Sequence, residues 1–133
     1  MSESEKTKYL SLALRVFAAV FVLGVYPLTV FWPSGWCWSS GPPEYLHMIV
    51  GLYATLGVFL WLASQAPEAH VGLVSFTIWS SIVHATIMAV QSFHVPASLG
   101  HLLGDVPALY LVAGVLGWLS PRAFRLKLRE NAA

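Results

Sequence analysis

Residues 10–32 read LSLALRVFAAVFVLGVYPLTVFW, and this stretch decides the fold. Arg15 is its only charged residue, and almost all of the others are apolar. A helix needs about 20 predominantly apolar residues to cross the roughly 30 Å hydrocarbon core of a bilayer. The stretch is long enough for one crossing, so we predict a membrane-spanning helix from about Leu10 to Trp32.

Three more apolar segments follow, each bounded by proline, glycine or other turn-forming residues. Segments of this length must satisfy their own backbone hydrogen bonds inside a bilayer, which helices do. The connections are short, which favours an all-α, up-down four-helix bundle. We predict a single membrane domain over residues 1–133 with spans at about 10–32, 44–64, 71–93 and 99–119.

The composition of the whole chain agrees with this prediction. Only 10% of the 133 residues are charged and 57% are apolar, with a mean hydropathy of +0.69. Soluble domains carry about 25% charged residues, and a small one needs polar residues to cover its large relative surface. The composition therefore argues against a soluble monomer.

The distribution of positive charge predicts the orientation. All seven basic residues lie near the two ends of the chain: Lys6, Lys8, Arg15, Arg122, Arg125, Lys127 and Arg129. Cytoplasmic segments of membrane proteins are enriched in lysine and arginine. We therefore predict a multi-pass protein of the cytoplasmic (inner) membrane with both termini in the cytoplasm. The bilayer is its expected partner, and the missing basic face excludes nucleic acid.

Polar side chains inside the predicted spans concentrate towards the outer side. Ionisable groups within spans are costly and are functional candidates by default. In an up-down bundle these side chains would meet in one outward-facing pocket. The predicted ligand-binding residues are Glu44, His84, Gln91, His101 and Asp105.

This set of side chains allows two kinds of chemistry. Imidazole and carboxylate groups bind transition metals, which makes His84, His101 and Asp105 candidate metal ligands. His101 and Asp105 could instead act as an acid–base pair on a quinone or an aromatic compound, and they are the candidate catalytic residues. A structural alternative stays open, in which these groups only hydrogen-bond the helices together.

Glycines in the second and fourth spans predict close helix contacts. Gly51 and Gly57 lie in the second span, and Gly114 and Gly117 lie in the fourth. Small residues let helix backbones approach closely inside a membrane. We therefore predict a packing role for all four.

Several motifs resemble a known family. They include Val25-Tyr26-Pro27-Leu28, the run from Phe76 to Ala85, and Gly100-His101-Leu102-Leu103-Gly104-Asp105. Over about residues 9–121 the chain resembles the small BphX-like membrane proteins within the DoxX-like grouping. That resemblance implies a four-helix bacterial inner-membrane protein without a settled activity. It makes His84, Gln91, His101 and Asp105 the leading site residues.

The main functional prediction is a binding module whose pocket holds a metal ion or a small lipophilic ligand. One alternative is a small membrane enzyme or redox accessory acting on a quinone or an aromatic compound, although the sequence leans away from an enzyme. The sequence leaves the cofactor open, with a transition metal and a quinone as the two candidates. The other alternative is a structural subunit of a larger membrane complex or a homo-oligomer.

Overall fold

The structure is a computed structural model that describes residues 1–37 and 43–121, and every regular element in those residues is helical. Six α-helical elements, a π turn and two 3-10 elements follow one another along the chain. They are α1 (Glu3–Ala19), the π turn (Val20–Gly24), α2 (Val25–Phe31), α3 (Pro33–Trp36), α4 (Pro43–Ala63), the 3-10 turn (Pro67–Ala69), α5 (Val71–His94), the 3-10 segment (Pro96–Leu102) and α6 (Asp105–Leu119).

Four stretches are long and apolar enough to cross a membrane: Glu3–Phe31, Glu44–Ala63, Val71–His94 and Pro96–Leu119. Many large apolar side chains on them are exposed, such as Phe31 (86%) and Leu103 (76%). Apolar surface of this extent is typical of a face that another apolar phase covers. The architecture therefore fits an all-helical, multi-pass membrane protein.

The first helix begins at Glu3, before the predicted start at Leu10, because its N-terminus is capped. The Glu5 backbone N–H donates to Ser2 Oγ over 3.2 Å, and the Ser2 N–H donates to the Glu5 carboxylate over 2.7 Å. This reciprocal capping box satisfies two N–H groups that would otherwise have no partner. It extends α1 through the polar residues ahead of the apolar run.

A π turn interrupts the first span. The Val25 N–H donates to the Val20 carbonyl, one residue further back than in an α-helix. Pro27 follows soon afterwards and has no N–H to donate. The helix therefore lacks one of its backbone hydrogen bonds close to the π turn. The buried residues on the two sides, Phe21 and Val25, still face inward.

The fourth predicted span, 99–119, is not one α-helix. Its first part is the 3-10 segment, and α6 begins only at Asp105. At this break the backbone of α3 lies against Gly100 and Gly104. A Cβ on Gly100 would collide with the Ser34 carbonyl oxygen, and a Cβ on Gly104 would lie 2.8 Å from Gly35 Cα. Only glycine permits so close an approach of two backbones.

The helices pack unevenly. Helix α5 lies along α6 and α1 lies along α4, whereas the consecutive helices α4 and α5 make few contacts. The main apolar core lies towards the end of the molecule that holds the 3-10 turn. Its fully buried members are Leu10, Leu14, Leu60, Ala63, Val74 and Leu116.

Polar contacts at that same end join α1 to the last residues of α4. The Ser11 hydroxyl donates to the Ser64 carbonyl, and Arg15 Nε donates to Ser64 Oγ over 3.3 Å. The last carbonyls of a helix have no intrahelical partner and favour a nearby cation. Ser11 therefore caps a carbonyl just after α4, and Ser11 and Arg15 both connect that end to α1.

Gly57 lies at a close contact between α4 and the first span. A Cβ added there would lie 2.8 Å from Val22 Cγ2 and 2.9 Å from the Ala18 carbonyl oxygen. The predicted packing role is thus confirmed for Gly57. For Gly51, Gly114 and Gly117, no atom of a described residue beyond the adjacent residues and the helix's own backbone lies within 4 Å of such a Cβ, so the described residues make no close helix contact there.

This difference gives a matched pair of variants. Gly57→Ala should destabilise the protein by about 1–3 kcal/mol, because the added methyl group pushes α4 away from the Ala18 backbone. Gly114→Ala adds the same methyl group where there is space and should leave stability unchanged or slightly raised. Thermal unfolding in detergent, followed by circular dichroism, measures both. Equal melting temperatures for Gly57→Ala and Gly114→Ala would contradict a close contact between Gly57 and the Ala18 backbone.

Candidate functional site

A cavity of about 1080 Å³ lies between the helices, and four members of the main apolar core line it: Phe17, Phe21, Val25 and Val112. Its walls come from the first span, α3, α4, α5 and α6, and they are mostly apolar. Phe21, Val25, Ile49, Met88 and Leu109 are typical of them. The few contacts between α4 and α5 leave room for this cavity. Its size falls at the upper end of the range of small-molecule sites, about 300–1,000 Å³.

A small group of polar side chains also lines the cavity. Helix α4 contributes Tyr53, α5 contributes Ser80, His84 and Gln91, and α6 contributes Asp105. Binding sites for small molecules combine apolar walls with a few placed polar groups that fix the orientation of the ligand. The cavity has this composition.

Asp105 is held in place by His101. Nδ1 of His101 and Oδ2 of Asp105 are 2.8 Å apart, and the two residues are 2% and 7% exposed. The pair bridges the break between the 3-10 segment and α6. The relative position of the two residues therefore differs from that of residues i and i+4 in one continuous α-helix. Asp105 also lies in the first turn of α6, where the helix dipole favours a negative charge.

His84 forms a second pair with Tyr53. Tyr53 Oη lies 2.9 Å from Nδ1 of His84, and this contact connects α4 to α5 across the cavity. The tyrosine ring packs edge-on against Phe21, with ring centroids 5.1 Å apart. When the hydroxyl donates to Nδ1, the proton of a neutral His84 ring lies on Nε2. His84 then has an N–H donor of its own.

Two buried polar atoms on residues that line the cavity have no hydrogen-bond partner in the described part of the chain. They are Oδ1 of Asp105 and Nε1 of Trp36. Most buried polar atoms in native proteins are paired, so each exception calls for an explanation. The two residues directly follow Gly35 and Gly104, whose backbones touch.

The structure brings together most of the predicted ligand-binding residues. His84, Gln91 and Asp105 line the cavity, and His101 is joined to it through Asp105. Glu44 is separate: it is exposed in the first turn of α4 and is not among the lining residues.

The structure adds no support to the predicted metal ligands. Within residues 1–37 and 43–121, no three His, Cys, Asp or Glu side chains form a group that could hold a metal ion. Metal binding by His84, His101 and Asp105 stays a prediction from the sequence.

Sequence reasoning missed two residues of the site, Tyr53 and Trp36. In the sequence, Trp36 and the tryptophans at positions 32 and 38 are typical of an interfacial aromatic belt. Tyr53 carried a usable signal, because a tyrosine ten residues into a span lies away from the interfaces where aromatic residues concentrate. Its partner His84 could not be identified without knowing how α4 and α5 face each other.

The His101–Asp105 pair should matter for stability. His101→Leu would leave a buried carboxyl group without its partner and should destabilise the protein by about 3 kcal/mol. The double variant His101→Leu with Asp105→Leu should recover part of that loss. Urea or thermal unfolding in detergent measures both, with His94→Leu as the exposed control. If His101→Leu were as stable as the His94→Leu control, the His101–Asp105 pair would contribute little to the stability of the protein.

Comparisons with known proteins give one match. No curated protein and no solved structure matches the chain. These results leave the resemblance to the BphX-like proteins as a prediction. One family, described as a family of unknown function (DUF6632), matches residues 4–130. Because the match covers nearly the whole sequence, the chain belongs to the DUF6632 family.

Proposed function

We propose that this protein is a membrane binding module that holds a small lipophilic ligand in its central cavity. The observation that carries the proposal is the cavity itself, with apolar walls and with His84, Gln91 and Asp105 among its few polar groups. A ligand with a polar head and an apolar body matches this distribution. Apolar walls make a free polar metabolite a poor match.

The position of the cavity supports access from the bilayer. Ile49 on α4 and Val83 and Ile87 on α5 line the cavity, yet they are 42%, 55% and 52% exposed. They lie where the two consecutive helices make few contacts. A lipophile dissolved in the membrane could enter sideways between α4 and α5 without crossing water.

The proposal includes the location and orientation expected from the sequence. The protein would lie in the bacterial inner membrane as an up-down bundle with both termini in the cytoplasm, as the basic residues favour. The cavity end covered by α3 and the 3-10 segment would then face outward. The 3-10 turn Pro67–Ala69 would face the cytoplasm.

Cysteine labelling tests this orientation. Cys37, the only cysteine, is first replaced in Cys37→Ser, and one new cysteine is then introduced at an exposed position. Ala97→Cys should react with a membrane-impermeant maleimide on intact spheroplasts. Gln65→Cys, at the opposite end, should react only after permeabilisation. If Gln65→Cys reacted on intact spheroplasts and Ala97→Cys only after permeabilisation, the protein would have the opposite orientation.

A second candidate function is a small membrane enzyme or redox accessory that acts on a quinone or an aromatic compound. The two hydrogen-bonded pairs favour it, because Tyr53–His84 and His101–Asp105 place proton-carrying groups at the cavity. Groups of this kind can give or take a proton when a bound ring is reduced or oxidised. The same cavity therefore serves either function, and the nature of the ligand distinguishes them.

Filling the cavity should remove the ligand. Val50 lines the cavity on α4, so Val50→Phe should lower the amount of co-purified lipophile roughly tenfold, given about 1–3 kcal/mol for overpacking. Val58→Phe makes the same change on the same helix, at an exposed position that does not line the cavity. It should retain the wild-type amount. Mass spectrometry of organic extracts from the purified proteins measures both.

The identity of what is extracted separates the two candidates. A quinone or quinol at a constant ratio to protein would favour the redox function, and another amphiphile would favour the binding module. Equal amounts of general membrane lipid in wild type, Val50→Phe and Val58→Phe would contradict both.

A further inference from the structure

Helix α4 is held firmly at one end and lightly towards the other. At the firm end, the Ser11 hydroxyl of α1 donates to the Ser64 carbonyl, and Gly57 lies against the first span. Towards the other end, Met48 and Leu52 are 64% and 70% exposed, and α4 makes few contacts with α5. The first half of α4 is therefore held to α5 by a small number of interactions.

One of these interactions is a hydrogen bond near the middle of α4. Tyr53 Oη lies 2.9 Å from Nδ1 of His84 on α5. The Tyr53 ring also packs edge-on against Phe21 of the first span, which positions the tyrosine from its other side. The hydrogen bond therefore joins two helices that otherwise make few contacts.

The side opening proposed for ligand entry begins next to this hydrogen bond. Ile49 lies one turn from Tyr53, and Ile87 lies one turn from His84. Both isoleucines line the cavity, and they are 42% and 52% exposed. Residues 64–70 connect α4 to α5, and along the chain both isoleucines lie farther from that connection than the hydrogen bond does. The hydrogen bond therefore closes the end of the opening that is nearest the connection.

We propose that the Tyr53–His84 hydrogen bond is a latch on the side opening. The latch keeps α4 next to α5 and sets how fast a lipophile enters and leaves the cavity. When the bond breaks, the first half of α4 moves away from α5, while the contacts of Gly57 and Ser64 keep the second half in place. The latch rests on the proposed function, because it controls access to the same cavity.

The rates of ligand exchange test the latch. The full-length protein in phosphatidylcholine nanodiscs is mixed with cis-parinaric acid, a fluorescent fatty acid. Energy transfer from the tryptophans, including Trp36 at the cavity, reports the arrival of the probe. Stopped-flow mixing with the probe gives the association rate, and mixing of the loaded protein with excess oleic acid gives the dissociation rate. The signal of Val50→Phe, with its filled cavity, is subtracted as the contribution of probe in the bilayer.

Tyr53→Phe removes the hydroxyl group of the latch and keeps the ring. Association and dissociation should both become about threefold to tenfold faster, the effect of one hydrogen bond between helices in a membrane. The association rate is the decisive measurement, because loss of a contact with the ligand would speed dissociation alone.

Tyr110→Phe is the matched control. Its hydroxyl lies 2.8 Å from Thr86 Oγ1, so this variant also loses a hydrogen bond between two helices. Tyr110 does not line the cavity, and it joins α6 to α5, which pack along each other. Both exchange rates should therefore equal those of the wild type. Circular dichroism and gel filtration check that the variants are folded.

A second variant removes the latch from the other helix. His84→Leu lacks the partner of the tyrosine hydroxyl, so it should also speed association, and it replaces Tyr53→Phe if that variant does not fold. Association at the wild-type rate in either folded variant would overturn the latch and keep the cavity as a lipophile site. Faster dissociation with unchanged association would overturn it too, and would make the altered side chain a ligand contact. A wild-type signal no larger than that of Val50→Phe would contradict the proposed function and the latch together.

Discussion

The contact between the backbones of Gly35 and Gly104 is the constraint on which the site depends. It lets α3 lie directly on the stretch between the 3-10 segment and α6, at the point where the chain does not continue as one straight helix from Pro96 to Leu119. The resulting break sets the start of α6 at Asp105. Consequently Asp105 stands at a helix N-terminus with His101 one turn before it, and Trp36 covers the same end of the cavity.

Much of the fold could be predicted from the sequence because the bilayer allows so few solutions. Runs such as residues 10–32 have no other stable arrangement in hydrocarbon than a helix. The ends of the helices were harder, because they depend on local contacts. A capping box at Ser2 extends the first helix, and the fourth span starts as a 3-10 segment that lies against Ser34.

The site was predictable only in part, for a related reason. His84, Gln91 and Asp105 were identifiable because ionisable or amide groups are expensive inside a membrane, whatever surrounds them. Glu44 satisfied the same criterion but lies at an exposed helix start. Tyr53 and Trp36 look like ordinary aromatic residues in the sequence. Their roles come from the open space between α4 and α5 and from the fold of α3, which hydropathy patterns do not specify.

The π turn has a consequence for the first span as a whole. It inserts extra backbone between Ala19 and Val25, which changes the rotational phase of everything after it. The inward positions continue at Val25 and Thr29, and both of these line the cavity. A helical wheel drawn with one constant angle per residue would therefore not place the inward residues before and after the π turn on the same side. Residues 3–19 and 25–31 are better regarded as two short helices that share an axis but not a phase.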